Sequence, residues 1–130
     1  IRDLARSLGL VDVYKRQGIG EDFKTYNINA DIVAGKIAKI LQAGKYVVLT
    51  NTTGIFDDNG NLIKSMNAEQ VRQLVNKGII SSGMLPKVES ALEAVSAGVQ
   101  NVQIIDGTID HAILLELFTD EGVGTMIRRT

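Results

Sequence analysis

GMLPKVESALEAVSAGVQNVQII, residues 83–105, reads as a helix feeding a strand, and this reading decides the fold. Pro86 suits a first helical position, where a missing N–H costs nothing. Val88, Ala91, Leu92 and Val95 recur at helical spacing on one face, and Gly98 closes the helix. Asn101–Ile105 is a short apolar run of strand character. The same unit appears upstream. Asn29 is a plausible N-cap, Ile32, Val33, Ile37, Ile40 and Leu41 follow at helical spacing up to Gly44, and Tyr46–Thr50 (YVVLT) reads as a buried strand. Between the two units, residues 51–63 form a loop with a hairpin turn at DDNGN, residues 57–61. Asn67 and Gln70 have capping-box spacing ahead of a Val71, Leu74, Val75 stripe that ends at Gly78. Beyond residue 105, Asp110 can cap HAILLELF, and TMIRR follows Gly124 as a terminal strand. Helices and strands alternating through short links specify an α/β architecture with a largely parallel sheet. Only three strong strands stand out, where sheets average five or six, so the chain is expected to be part of a larger domain.

Composition narrows the function classes. The 130 residues are 45% hydrophobic and 22% charged, the profile of a globular domain with a real core. Fourteen basic and fifteen acidic residues give a net charge of -1, which offers no electrostatic footprint for nucleic acid or an anionic membrane. No apolar run reaches the roughly 20 residues of a membrane span. There is no cysteine, which removes disulfides and thiolate–zinc sites and fits a cytoplasmic location.

The candidate site residues sit at helix mouths and after a strand. Lys87 lies in the first turn behind Pro86, where a cation opposes the macrodipole by a few tenths of a kcal/mol. That is either a solvated surface lysine or part of an anion site. Asn27, Asn29 and Asp31, in YNINAD, are either turn, cap and first-turn residues or polar groups facing a ligand. The NTTG stretch, residues 51–54, is either a strand-to-hairpin turn or a nucleotide contact at the carboxyl end of a strand. The single histidine, His111, has no catalytic partner in the sequence. No phosphate-binding GxxxxGK[ST] or complete GxGxxG occurs, so a P-loop or Rossmann cofactor site is not expected.

Taken together, YNINADIVAGKIA, VVLTNTTGIF, GIISSGMLPKVESALEAVSAGV and IIDGTIDHAILLELFTDEGVGTMI resemble, in order and spacing, the acetylglutamate kinases of the amino-acid kinase family. The resemblance runs from about Gly18 to the C-terminus. It implies a three-layer αβα sandwich with a mainly parallel sheet, incomplete at the N-terminus, and transfer of the ATP γ-phosphate to the side-chain carboxylate of N-acetyl-L-glutamate in arginine biosynthesis. Asn27, with Asn29, matches the acetylglutamate contact, Asp31 the carboxylate that organises catalytic lysines, and Lys87 the lysine on the transferring phosphoryl group. Asn51, Thr52, Thr53, Gly54, Ile55 and Phe56, with Ile79, Ile80 and Ser81, match segments that hold the nucleotide. Mg²⁺ is implied only as carried by ATP, with no protein metal site.

The implied chemistry suits the residue types. A glutamate side chain, of pKa about 4.3, is already an anion at neutral pH and needs no general base. The difficulty is bringing a carboxylate to a polyanion, which lysine charge and helix N-termini relieve. Two departures carry expectations. Asn51 stands where the family usually has aspartate, so nucleotide binding should be altered but not abolished. The family's N-terminal half, with a second catalytic lysine and a glycine-rich substrate loop, has no counterpart. Residues 1–17 are therefore expected to be foreign or disordered, residues 18–130 a C-terminal nucleotide-binding part, and the chain inactive alone. The full-length enzyme is expected to be a homo-oligomer. The alternatives are a relative with another acceptor (aspartate, glutamate, carbamate or uridylate) and a non-catalytic nucleotide-binding module.

Overall fold

The computed structural model describes residues 17–119 and 122–129. The expectation that residues 1–17 are foreign or disordered falls, but for Gln17, outside the described residues. In chain order the elements are β1 (Gln17–Ile19), β2 (Thr25–Asn27), α1 (Ala30–Ile40), β3 (Lys45–Thr50), β4 (Ser65–Asn67), α2 (Ala68–Asn76), α3 (Leu85–Ser96), β5 (Asn101–Asp106), α4 (Ala112–Phe118) and β6 (Gly124–Arg128). β1 and β2 pair as a small antiparallel hairpin. The main sheet has the order β3-β5-β6-β4. β3 and β5 run parallel with Lys45 opposite Asn101, and β4 and β6 run parallel, while β5 and β6 pair antiparallel.

The period-2 alternation of β5 makes the layers. Val102 and Ile104 join Val88, Ala91, Ala94 and Val95 of α3, with Val71 of α2, in one apolar core. Gln103 and Ile105 point to the opposite face, where α4 packs on β5. Helices α1, α2 and α3 thus lie on one side and α4 on the other.

The capping box is present in full: the Asn67 side chain accepts from the Gln70 N–H, and the Gln70 side chain accepts from the Asn67 N–H, both at 2.9 Å. Three readings need correction. Among the described residues YVVLT is an edge strand and not a buried one, because β3 pairs there with β5 alone and of its six residues only Val48 is buried. In α1 the Ile32–Leu41 stripe faces outward, and the packed positions are Gly35 and Ala38. Asp110 does not cap α4; His111 holds the cap position at φ 59° with no side-chain cap bond.

Candidate functional site

Parallel packing of α1 on α3 brings two helix mouths together. The helices meet at Asp31–Lys87 near their starts, at Gly35–Ser90 in the middle, and at Gln42–Ala97 near their ends. Each helix connects to a strand running the other way, so both N-termini lie beside the carboxyl end of β3, the edge where α/β sheets present ligand sites.

Local sequence sets each side chain. Asn29 has extended backbone, and its side-chain oxygen accepts the Asp31 N–H at 2.9 Å, which starts α1 with Asp31 in the first turn. Pro86 in the first turn of α3 leaves Lys87 one residue further in. The Lys87 ammonium donates to both Asp31 carboxylate oxygens, at 3.1 and 3.0 Å. Both side chains are about three-quarters buried, so the pair is shielded more than a surface ion pair. Asp31 thereby offsets the repulsion between Lys87 and its own helix dipole.

Asn27, Ile28, Asn29, Ala30, Asp31 and Lys87 line a cleft of about 400 Å³. The structure therefore gathers Lys87, Asp31, Asn27 and Asn29 on one wall. Its electrostatics are those of a tethered cation beside two helix N-termini, which suit an anionic ligand.

A second cleft, of about 190 Å³, is lined by Thr52, Gly54, Ile55, Phe56, Asp57, Ile79, Ile80, Ser81 and Met84. Its backbone is held from below: the buried Thr125 hydroxyl of β6 accepts the Ile55 N–H at 2.8 Å. Gly54 is needed there, because a Cβ would come within 2.5 Å of Thr125 Oγ1 and 2.8 Å of Leu62. Of the nine residues matched to nucleotide segments, Asn51 and Thr53 do not line this cleft. The Asn51 side chain lies at the exposed end of β3, 3.5 Å from the Thr50 hydroxyl.

The sequence reading passed over residues that build the site without motif status. Met84 and Asp57 line the second cleft. Asp57 also organises the hairpin turn, accepting the N–H groups of Asn59 and Asn61 at 2.8 Å each. The Asn61 N–H above all holds the Asp57 carboxyl below its ordinary value; desolvation opposes it, and the Asn61 amide and the N–H groups of Asn59 and Gly60 add to the lowering. Ser90 and Tyr46 lie behind the Lys87–Asp31 pair; burial raises the Tyr46 phenol above its ordinary value, and the Ser90 contact partly offsets this. Among the described residues no cluster of three or more His, Asp or Glu side chains could hold a metal ion, and no helix is long and apolar enough to cross a membrane.

Comparison with known proteins gives this geometry a context. The profile described as the amino acid kinase family matches residues 9–106. An acetylglutamate kinase from Nitrosococcus oceani is 53% identical over 98% of this chain and 42% of its own length. One from Halorhodospira halophila is 55% identical over 86% of this chain and 37% of its own. The chain thus spans about two-fifths of the length of these curated relatives. Among solved structures, N-acetylglutamate synthase from Neisseria gonorrhoeae, complexed with coenzyme A and L-arginine, superposes with a TM-score of 0.82 at 32% identity, over 98% of this chain and 31% of that one. Carbamate kinase from Giardia lamblia bound to AMP-PNP shares the fold, with a TM-score of 0.66 at 18% identity over 88% of this chain and 41% of that one.

Proposed function

The chain belongs to the amino acid kinase family, and from that premise we propose that it supplies the nucleotide-binding and phosphoryl-stabilising part, residues 18–130, of an acetylglutamate kinase. The reaction is attack by a side-chain carboxylate oxygen of N-acetyl-L-glutamate on the γ-phosphorus of ATP. The bond from that phosphorus to the bridging oxygen breaks, ADP leaves, and an acyl phosphate forms with no proton transferred. The acceptor enters as an anion, so the site needs charge neutralisation and no base.

The observation that carries this reading is the Lys87 ammonium, held within 3.1 Å of both Asp31 oxygens at two convergent helix N-termini. In the proposed roles Lys87 meets the transferring phosphoryl group and Asp31 holds Lys87 in place. Asn27 and Asn29 bind acetylglutamate. The loop from Asn51 to Phe56, with Ile79, Ile80 and Ser81, holds ATP, whose Mg²⁺ arrives with the nucleotide. The kinase relatives are also more similar to this chain than the synthase is, at 53% against 32% identity. The proposed setting is a homo-oligomeric cytoplasmic enzyme of arginine biosynthesis.

The test is a chimera in which this chain replaces the matching stretch of the Nitrosococcus oceani protein. Its turnover is assayed with N-acetyl-L-glutamate, glutamate, aspartate and carbamate. Phosphorylation of N-acetyl-L-glutamate alone, lost in the Lys87→Ala form, is expected. A folded chimera that prefers another acceptor, or that is indifferent to Lys87→Ala, overturns the reading. Calorimetric titration of Mg-ATP into the chain itself asks whether residues 18–130 bind nucleotide unaided.

A further inference from the structure

Ser90 lies one turn beyond Lys87 on α3 and is 5% exposed. A serine in a helix interior commonly turns its hydroxyl back to its own helix, onto a carbonyl one turn earlier. Here the hydroxyl crosses to the neighbouring helix and donates to the Asp31 backbone carbonyl at 2.7 Å. The Tyr46 hydroxyl of β3 stands 3.4 Å from the same serine oxygen. Residues three apart share a helix face, so Lys87 and Ser90 reach the same residue of α1. Lys87 takes the carboxylate of Asp31, and Ser90 takes its carbonyl.

That approach depends on Gly35. A Cβ at this position would overlap Ser90 Oγ and stand 3.3 Å from the Ser90 carbonyl oxygen. Glycine inside a helix costs about 1 kcal/mol relative to alanine, and here it opens the space that the serine hydroxyl fills.

We propose that Ser90 is a positioning residue, admitted by Gly35, that grips the first turn of α1 so that the Asp31 carboxylate meets Lys87. The bond to the carbonyl opposes rotation of α1 about its axis, which leaves the Asp31 side chain only its own torsions as freedom. The functional weight of this grip rests on the reading in which Lys87 meets the transferring phosphoryl group.

The experiment is competitive acylation of the whole chain with trace acetic anhydride, with each lysine quantified by mass spectrometry. Exposed Lys36 and Lys39 are internal standards. Lys45 is a second reporter, because it is paired at 3.0 Å with Glu116, away from α1. Asp31→Asn sets the reactivity of a released Lys87. Ser90→Ala and Gly35→Ala are each expected to raise Lys87 acylation about fivefold, the worth of one hydrogen bond, with Lys45 unchanged. The double variant is expected to match Ser90→Ala alone. With the serine oxygen gone, the nearest neighbours of the methyl added at position 35 are the carbonyl oxygen of residue 90, at 3.3 Å, and its Cβ, at 3.5 Å. A general loosening would raise Lys45 together with Lys87, and this overturns the proposal. Wild-type Lys87 reactivity in Ser90→Ala overturns it too, as does an Asp31→Asn form with no rise. If Gly35→Ala fails to fold, Ser90→Ala, which deletes one oxygen, decides. Mg-ATP protection, measured in the chimera described above, separates the two readings: no protection of Lys87 by the nucleotide there, with the Ser90 effect intact, defeats the kinase reading and leaves the grip standing.

Discussion

Replacing Thr125 by valine removes one oxygen from the centre of the molecule and leaves volume nearly unchanged. Thr125 is fully buried in β6, and its hydroxyl accepts the Ile55 N–H at 2.8 Å; Ile55 itself is only 4% exposed. In Thr125→Val that N–H has no acceptor and no water, a loss of about 1–3 kcal/mol. The added methyl returns about 0.8 kcal/mol of apolar burial. The net expectation is a destabilisation of about 0.2–2 kcal/mol, at roughly 4 °C in Tm per kcal/mol for a domain of this size. Urea unfolding measures the stability, and amide exchange at Ile55 measures the local effect. The Ile55 amide should lose protection more than the Ile63 amide, which keeps its own bond to the Ile55 carbonyl at 2.9 Å. Because Gly54, Ile55 and Phe56 line the smaller cleft, Mg-ATP affinity in the chimera should fall as well. A Thr125→Val protein more stable than wild type by about 0.8 kcal/mol, with Ile55 still protected, would refute the reasoning, since the gain from the methyl would then stand unopposed and the bond would contribute nothing net.

Three further outcomes are expected. Gly54→Ala forces a Cβ to within 3.2 Å of the Thr125 backbone nitrogen as well as onto its hydroxyl, so a loss of about 1–3 kcal/mol in a urea melt is expected, and a neutral variant would show that the loop shifts freely. Ile104→Ala, at a fully buried position of β5, should cost about 2–5 kcal/mol in the same melt, and a cost below about 1 kcal/mol would deny the tight packing of that layer. The depressed Asp57 carboxyl implies turn stability that is fully present above its ordinary value of 3.8 and is lost as pH falls through the lower folded value. Amide exchange at Asn61 between pH 5 and pH 2 should reveal this loss, Asp57→Asn should flatten the profile, and a flat wild-type profile would refute it.

Local signals were legible where local chemistry decides. The Asn29 cap, the Asn67–Gln70 box, Pro86 at the mouth of α3 and the Asp57–Asn61 turn each depend on groups within a few residues, and each is found where the sequence places it. The apolar stripe of α3 was readable for the same reason, since Val88, Ala91 and Val95 are buried and Leu92 is half-buried. The stripe of α1 misled because periodicity marks an apolar face without saying what covers it, and Ile40 is 78% exposed. Three-residue strands such as Ser65–Asn67 carry too few residues for an alternation to register. The edge position of β3 was unreadable because a strand's neighbours are set by other strands.

The candidate site divides along the same line. Sequence alone determined that Lys87 and Asp31 each stand in the first turn of a helix, because capping and proline geometry are decided by adjacent residues. It did not determine that these two turns meet. A separation of 56 residues is closed to 3.0 Å only by the packing of α1 on α3, which depends on Gly35 opposite Ser90 and on the sheet that α3 covers. The charge pair is thus a product of tertiary structure: helix starts are local events, whereas the contact between them is fixed by how closely two backbones can approach.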